Sequence, residues 1–85
     1  MPMPKIPRDI SGSKLAQLLD KYGYEIKRET GSHIRLVSEI RGKEHKITIP
    51  DHTHIKIGTL NNILNDLVDY LKIDKKILID ELFGK

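Results

Sequence analysis

Residues 24–50 read YEIKRETGSHIRLVSEIRGKEHKITIP, and their apolar side chains recur at every second position rather than every third or fourth. A period of two belongs to strands covered on one side, because neighbouring side chains of a strand leave on opposite faces. In the first run Tyr24, Ile26 and Arg28 point one way, and Glu25, Lys27 and Glu29 the other. Thr30, Gly31 and Ser32 supply a turn. The second run sends Ile34 and Leu36 to one face and His33, Arg35 and Val37 to the opposite one. "EIRGKE" then makes a hairpin connection around Gly42. "HKITIP" is a third strand with Ile47 and Ile49 inward and Lys46 and Thr48 outward, ended by Pro50, which has no N–H for a ladder.

On either side of this sheet the period changes to that of a helix. Upstream, Leu15, Leu18, Leu19 and Tyr22 recur at i, i+3, i+4 and i+7, with Ser11 or Ser13 as cap and Gly23 as stop. Downstream, past the loop "DHTHIKIG", a helix opening near Thr59 carries Leu60, Ile63, Leu64, Leu67, Val68 and Leu71 as a broad apolar stripe. Asp74 caps a short third helix with Ile77, Leu78, Leu82 and Phe83, closed by Gly84. This order predicts an α+β fold: an α-β-β-β-α unit whose helices pack on one face of a three-stranded antiparallel sheet, with an additional short C-terminal helix. Residues 1–10, with prolines at 2, 4 and 7, read as an extended segment, and residues 11–85 as a single domain.

Composition narrows the function classes. At 85 residues the chain supports one modest core, since a domain this small buries only ~60% of the surface its unfolded form exposes. The absence of cysteine removes disulfides and thiolate metal sites. No apolar run serves as a signal segment or approaches the ~20 residues of a membrane span, so a cytoplasmic protein without a membrane role is expected. The net charge of +3 is mild, but it is unevenly spread. Residues 1–58 hold 11 basic and 7 acidic side chains, a net of +4, while residues 59–85 hold 4 and 5, a net of −1. The positive half is also the half with the histidines.

Alternation places Lys27, His33, Arg35, Lys46 and Thr48 together on the uncovered face of the sheet. An unperturbed imidazole titrates near pH ~6.5, and adjacent ammonium and guanidinium groups can hold a phosphate beside it. Those are the ingredients of metal-free RNA cleavage, in which a base takes the ribose 2′-hydroxyl proton and the oxygen attacks the neighbouring phosphorus. A solvated polar residue is the plainer reading of such a histidine. Ser32 adjoins His33 but faces the other way, and no carboxylate is positioned to complete a triad.

Two other clusters call for a reading. Asp51, His52 and His54 fall within four positions of one loop, yet structural zinc wants four ligands and nothing elsewhere completes the set. No metal site and no cofactor is expected. Lys56, Gly58 and Thr59 precede or open the second helix, where free backbone N–H groups suit a phosphate and equally suit an ordinary helix cap. With one Phe and three Tyr the chain lacks a base-stacking platform.

Four segments, "PRDISG" before the first helix, "GSH" at the second strand, "IPDH" after the third and "GTLNNIL" opening the second helix, stand in the order and spacing of one family. Over about residues 4–64 the chain resembles the HicA (YcfA-like) toxin ribonucleases. The resemblance implies a fold similar to the double-stranded-RNA-binding domain, mRNA cleavage that inhibits translation, and restraint by a HicB-type antitoxin. It also implies His33 as the catalytic residue and His52 as a substrate-contact or structural residue, with a second proton-transfer group as the further alternative. Lys27, Arg35, Lys46 and Lys56, with Gly58 and Thr59, are the candidate RNA binders. A noncatalytic module of the same fold, binding RNA or an antitoxin through the sheet, is the alternative. Departures from the family pattern are the short loop between His52 and Gly58, Asn61 and Asn65 where basic residues often stand, and a second helix prolonged through "DLVDYLKI".

Overall fold

The computed structural model describes residues 6, 7 and 9–84. Of the predicted extended segment, residues 1–5 and Arg8 lie outside the described residues, as does Lys85. The elements follow in the order α1 (Gly12–Leu18), continued by a 3-10 turn (Leu19–Tyr22), then β1 (Glu25–Thr30), β2 (His33–Ser38), β3 (His45–Pro50), α2 (Ile57–Leu71) and α3 (Lys75–Phe83). Ser11 caps α1, its hydroxyl accepting from the Lys14 N–H at 3.1 Å, and Asp74 caps α3 by accepting from the Lys76 N–H at 2.8 Å. Gly23 ends the 3-10 turn in the left-handed region at φ 80°, as a helix stop of this kind requires. α2 opens at Ile57, two residues before Thr59.

The three strands form one antiparallel sheet in the order β1-β2-β3. Thr30 pairs with His33, so Gly31 and Ser32 alone make the loop between β1 and β2. Gly31 takes φ 55° at the first loop position, where hairpin turns of the II′ kind call for glycine. On the covered face Ile34, Leu36, Ile47 and Ile49 are buried, and Leu15, Leu19, Leu60, Leu64 and Leu67 of the helices close over them. Leu78, Ile79 and Leu82 of α3 complete the core. Ile77, expected among the apolar residues of α3, is instead 53% exposed. A helix of nine residues on one side of α2 has room for only one buried stripe, and Ile79 takes the place.

β1 departs from the predicted alternation. Ile26 pairs with Leu36, but the next pair is Arg28 with Arg35, so the register shifts at Lys27 and leaves a bulge. Two residues of β1 then oppose one of β2, and the faces exchange beyond that point. Arg28, expected on the side of Tyr24 and Ile26, therefore lies opposite Arg35 on the open face, and Glu29 pairs with the buried Ile34. The exchange sets Arg28 on the open face and Glu29 on the other, and both side chains are exposed. The helices pack over β2 and β3 and leave the far edge uncovered, so Ile26 is 49% exposed.

Gly12 explains the close seating of α1 on the sheet. A Cβ at this position would stand 2.1 Å from the Pro50 carbonyl oxygen, and the Gly12 N–H donates to the His52 carbonyl at 3.0 Å. The glycine of "PRDISG" is thus a packing residue. It locks the start of α1 to the end of β3.

Candidate functional site

His33 is the first residue of β2 and is exposed, directly across from Pro50, the last residue of β3. The loop after β3 is drawn against the turn before β2, with the Asp51 N–H donating to the Ser32 carbonyl at 2.6 Å. This bond, together with that from Gly12 to His52, brings the "GSH", "IPDH" and "PRDISG" segments to one end of the molecule. Farther along the loop the Ile55 N–H donates to the Ile10 carbonyl at 2.9 Å, and both side chains are buried. Four exposed residues, 51–54, are therefore held short between two anchored ends.

The eight predicted site residues divide into two groups. Lys27, His33, Arg35 and Lys46 share the open face of the sheet: Arg35 pairs with Thr48, Val37 two residues farther along β2 pairs with Lys46, and Lys27 borders the same depression as Arg35 and Lys46. His52 stands in the anchored loop, and Lys56, Gly58 and Thr59 start α2 in the helical layer. Lys56 holds the cap position of α2 without a side-chain capping bond, and Thr59 is half-buried within the first turn. Among the described residues no three His, Asp or Glu side chains converge as a metal would require.

Lys27, Arg28, Arg35, Lys46 and Thr48 line a shallow depression of about 410 Å³ on the open face, which Glu44 also borders. The Lys27 ammonium lies 3.1 Å from the Glu25 carboxylate, and that of Lys46 lies 3.7 Å from Glu44. Among the described residues neither Arg28 nor Arg35 forms a salt bridge. Two unpaired guanidinium groups facing each other repel, and a sheet keeps such a pair at some cost. Sequence reasoning missed Arg28 because "EIKRET" alternates without interruption. The available signal was the discord of an arginine on the predicted core side.

A second histidine also escaped the sequence reading. His45 opens β3 on the covered face, at the same parity as Ile47 and Ile49, and pairs with Ser38 at the opposite end of β2 from His33. Its Nδ1 is 2.6 Å from the Tyr24 hydroxyl and its Nε2 is 3.3 Å from Asp66 Oδ1. A carboxylate only accepts, so the neutral ring carries its proton on Nε2 and takes the phenolic O–H at Nδ1. The ring also stacks on Tyr70, at 4.5 Å and 9°. Burial, followed by the influence of Tyr70 and the Asp66 carboxylate, holds the Tyr24 phenol well above the usual tyrosine range. The cluster ties the sheet to α2 and lies on the opposite face from His33.

A family model described as the HicA toxin of bacterial toxin-antitoxin matches residues 12–67, a span that includes α1, the whole sheet and most of α2. No curated protein and no solved structure matches the chain.

Proposed function

The chain belongs to the HicA family of bacterial toxin-antitoxin systems, and from that premise we propose that it is the toxin of its pair, cleaving mRNA at the open face of the sheet. The observation that carries the reading is an exposed imidazole, His33, on the same bare face as the cations Arg35, Lys46 and Lys27. His33 removes the proton of a ribose 2′-hydroxyl, and the oxygen attacks the adjacent phosphorus. The bond from phosphorus to the 5′-oxygen breaks and that oxygen takes a proton from solvent, leaving a 2′,3′-cyclic phosphate on one fragment and a 5′-hydroxyl on the other. The positive field of that face, summed over its cations, stabilises the charge that builds on the phosphoryl oxygens. No step requires a divalent metal. His52, two residues past the strand end that faces His33, contacts the substrate, and Lys56 with the first turn of α2 holds a more distant part of the RNA.

The partner is a HicB-type antitoxin that covers His33, and both act in the cytoplasm. The face that RNA needs is the face an inhibitor must hide. Asn61 supports a binding mode centred on the sheet, because its Oδ1 accepts from the Lys75 ammonium at 2.5 Å and so braces α2 against α3.

The deciding experiment induces wild type and His33→Ala in cells and follows growth and mRNA integrity together. Arrest and cleavage by wild type alone are expected. Arrest by both, or by neither, overturns the role of His33. A silent His33→Ala with salt-sensitive RNA binding intact would make the chain a noncatalytic RNA-binding module. With purified protein and chelator present, 3′-hydroxyl product ends would sink the proposed chemistry.

A further inference from the structure

The bulge at Lys27 does more than relieve a local misfit, for it converts the middle of the open face from one arginine to two. Arg28 and Arg35 are direct cross-strand partners, which places their Cα atoms about 5 Å apart. Both border the same depression, and neither has a carboxylate within salt-bridge distance among the described residues. The two lysines of that face do have one each, in Glu25 and Glu44. Guanidinium groups are planar forks that grip a phosphate through paired hydrogen bonds, whereas an ammonium acts as a point charge. The groups left unpaired are thus the two best shaped for a phosphodiester.

Position gives this pair its role. Arg35 lies two residues beyond His33 on the same side of β2, about 7 Å along the strand at ~3.3 Å per residue. That is comparable to the step between successive phosphates of an extended nucleic-acid strand, so a phosphate held by Arg28 and Arg35 leaves its neighbour beside His33. Among the described residues no aromatic ring that would stack a base stands on this part of the face, whose charged residues are Lys27, Arg28, Arg35 and Lys46 with Glu25 and Glu44 beside the two lysines. Recognition there falls on the backbone.

We infer that Arg28 and Arg35, brought together by the β1 bulge, form a phosphate subsite one nucleotide from the bond cleaved at His33, and that it binds single-stranded RNA through its backbone. The inference rests on the ribonuclease reading for the word "subsite" and on the geometry alone for the phosphate.

Two measurements test it separately. The first follows binding of a decameric 2′-O-methyl oligoribonucleotide, which cannot be cleaved, as a function of salt. Arg28→Ala and Arg35→Ala are each expected to weaken binding about tenfold, the worth of one charged contact. Each should also lower the slope of log K against log salt by about 0.7, the value for one phosphate of a single strand. Arg28→Lys should restore the slope and only part of the affinity, and Lys76→Ala on α3 should change neither. An unchanged slope in Arg28→Ala overturns the inference. So does a fall in its melting temperature large enough to indicate a structural role, since relieving the repulsion should leave that temperature equal or higher.

The second measurement compares cleavage of a dinucleoside monophosphate, which holds only the scissile phosphate, with cleavage of a decaribonucleotide. Arg28→Ala should match wild type on the short substrate and show a raised KM with unchanged kcat on the long one. A loss of kcat on the short substrate would put Arg28 at the scissile phosphate and overturn the subsite. Should wild type cleave neither substrate, the ribonuclease reading fails, and the salt slope still decides whether the arginine pair holds phosphate.

Discussion

Two histidines in similar sequence contexts end on opposite faces of the sheet. His33 begins β2 on the open face, and His45 begins β3 on the covered one. The difference predicts a clean separation by mutation. His33→Ala should leave the melting temperature unchanged while lowering cleavage by at least ~10²-fold, the smaller end of what a proton-transfer group contributes. His45→Phe keeps a flat ring against Tyr70 but strips the Tyr24 hydroxyl of its partner, and Tyr24 is 2% exposed. A loss of about 1–3 kcal/mol in unfolding free energy is expected, with cleavage retained well below the melting temperature. Adding Tyr24→Phe to that variant should recover part of the loss, because the orphaned donor is gone. A His45→Phe variant that stays fully stable but inactive would reverse the two assignments.

Among the elements, β1 and α1 carry the features that a pattern of residues conceals. The bulge means that Lys27 is an extra residue in β1, flanked by Ile26 and Arg28, which already hold opposite faces. Deleting Lys27 should then leave a regular strand with Ile26 still opposite Leu36 and Arg28 still opposite Arg35. Circular dichroism should be preserved, with a melting temperature close to that of wild type, whereas unravelling of the sheet would show that the bulge sets the register. Gly12→Ala should behave otherwise. Its Cβ meets backbone, the Pro50 carbonyl, which cannot swing aside as a side chain would. Overpacking of this kind costs about 1–3 kcal/mol, and in a domain of this size each kcal/mol lowers the melting temperature by about 4–8 °C. Cleavage should fall as well, since the same contact seats the loop that carries His52.

At the scale of the whole molecule, the helices cover one face of the sheet and the charges gather on the other. Among the described residues no helix is long and apolar enough to cross a membrane. Unlike the bare sheet, the helical layer is cross-braced by phenols. Tyr22 donates to Glu81 of α3, and burial, then that hydrogen bond and the carboxylate's charge, raise its pKa well above the usual range, as burial does for Tyr24. In the unfolded chain both ionise near pH ~10, while in the folded one they keep their protons to higher pH. Unfolding thus releases protons in alkali, and the stability these tyrosines contribute is present in full below pH ~10 and lost as the pH rises beyond it. Denaturant midpoints measured from pH 8 to 11.5 should fall steeply above pH 10, and less steeply for Tyr24→Phe.

Much of this was legible in the residues taken alone. The period of two in residues 24–50, the caps Ser11 and Asp74, the stop Gly23 and the turn glycine Gly31 depend on local backbone preference and on which side chains shun water. Those suffice for the order of elements, the covered face and the exposure of His33. Long-range contact decided the rest. The side on which Arg28 emerges depends on how β1 registers against β2, Gly12 is required because the Pro50 carbonyl arrives from 38 residues away, and His45 is a clasp only because α2 presents Asp66 and Tyr70 beside it. Each is set by a neighbour distant in the chain. A residue's own propensity carries no record of what will be packed against it.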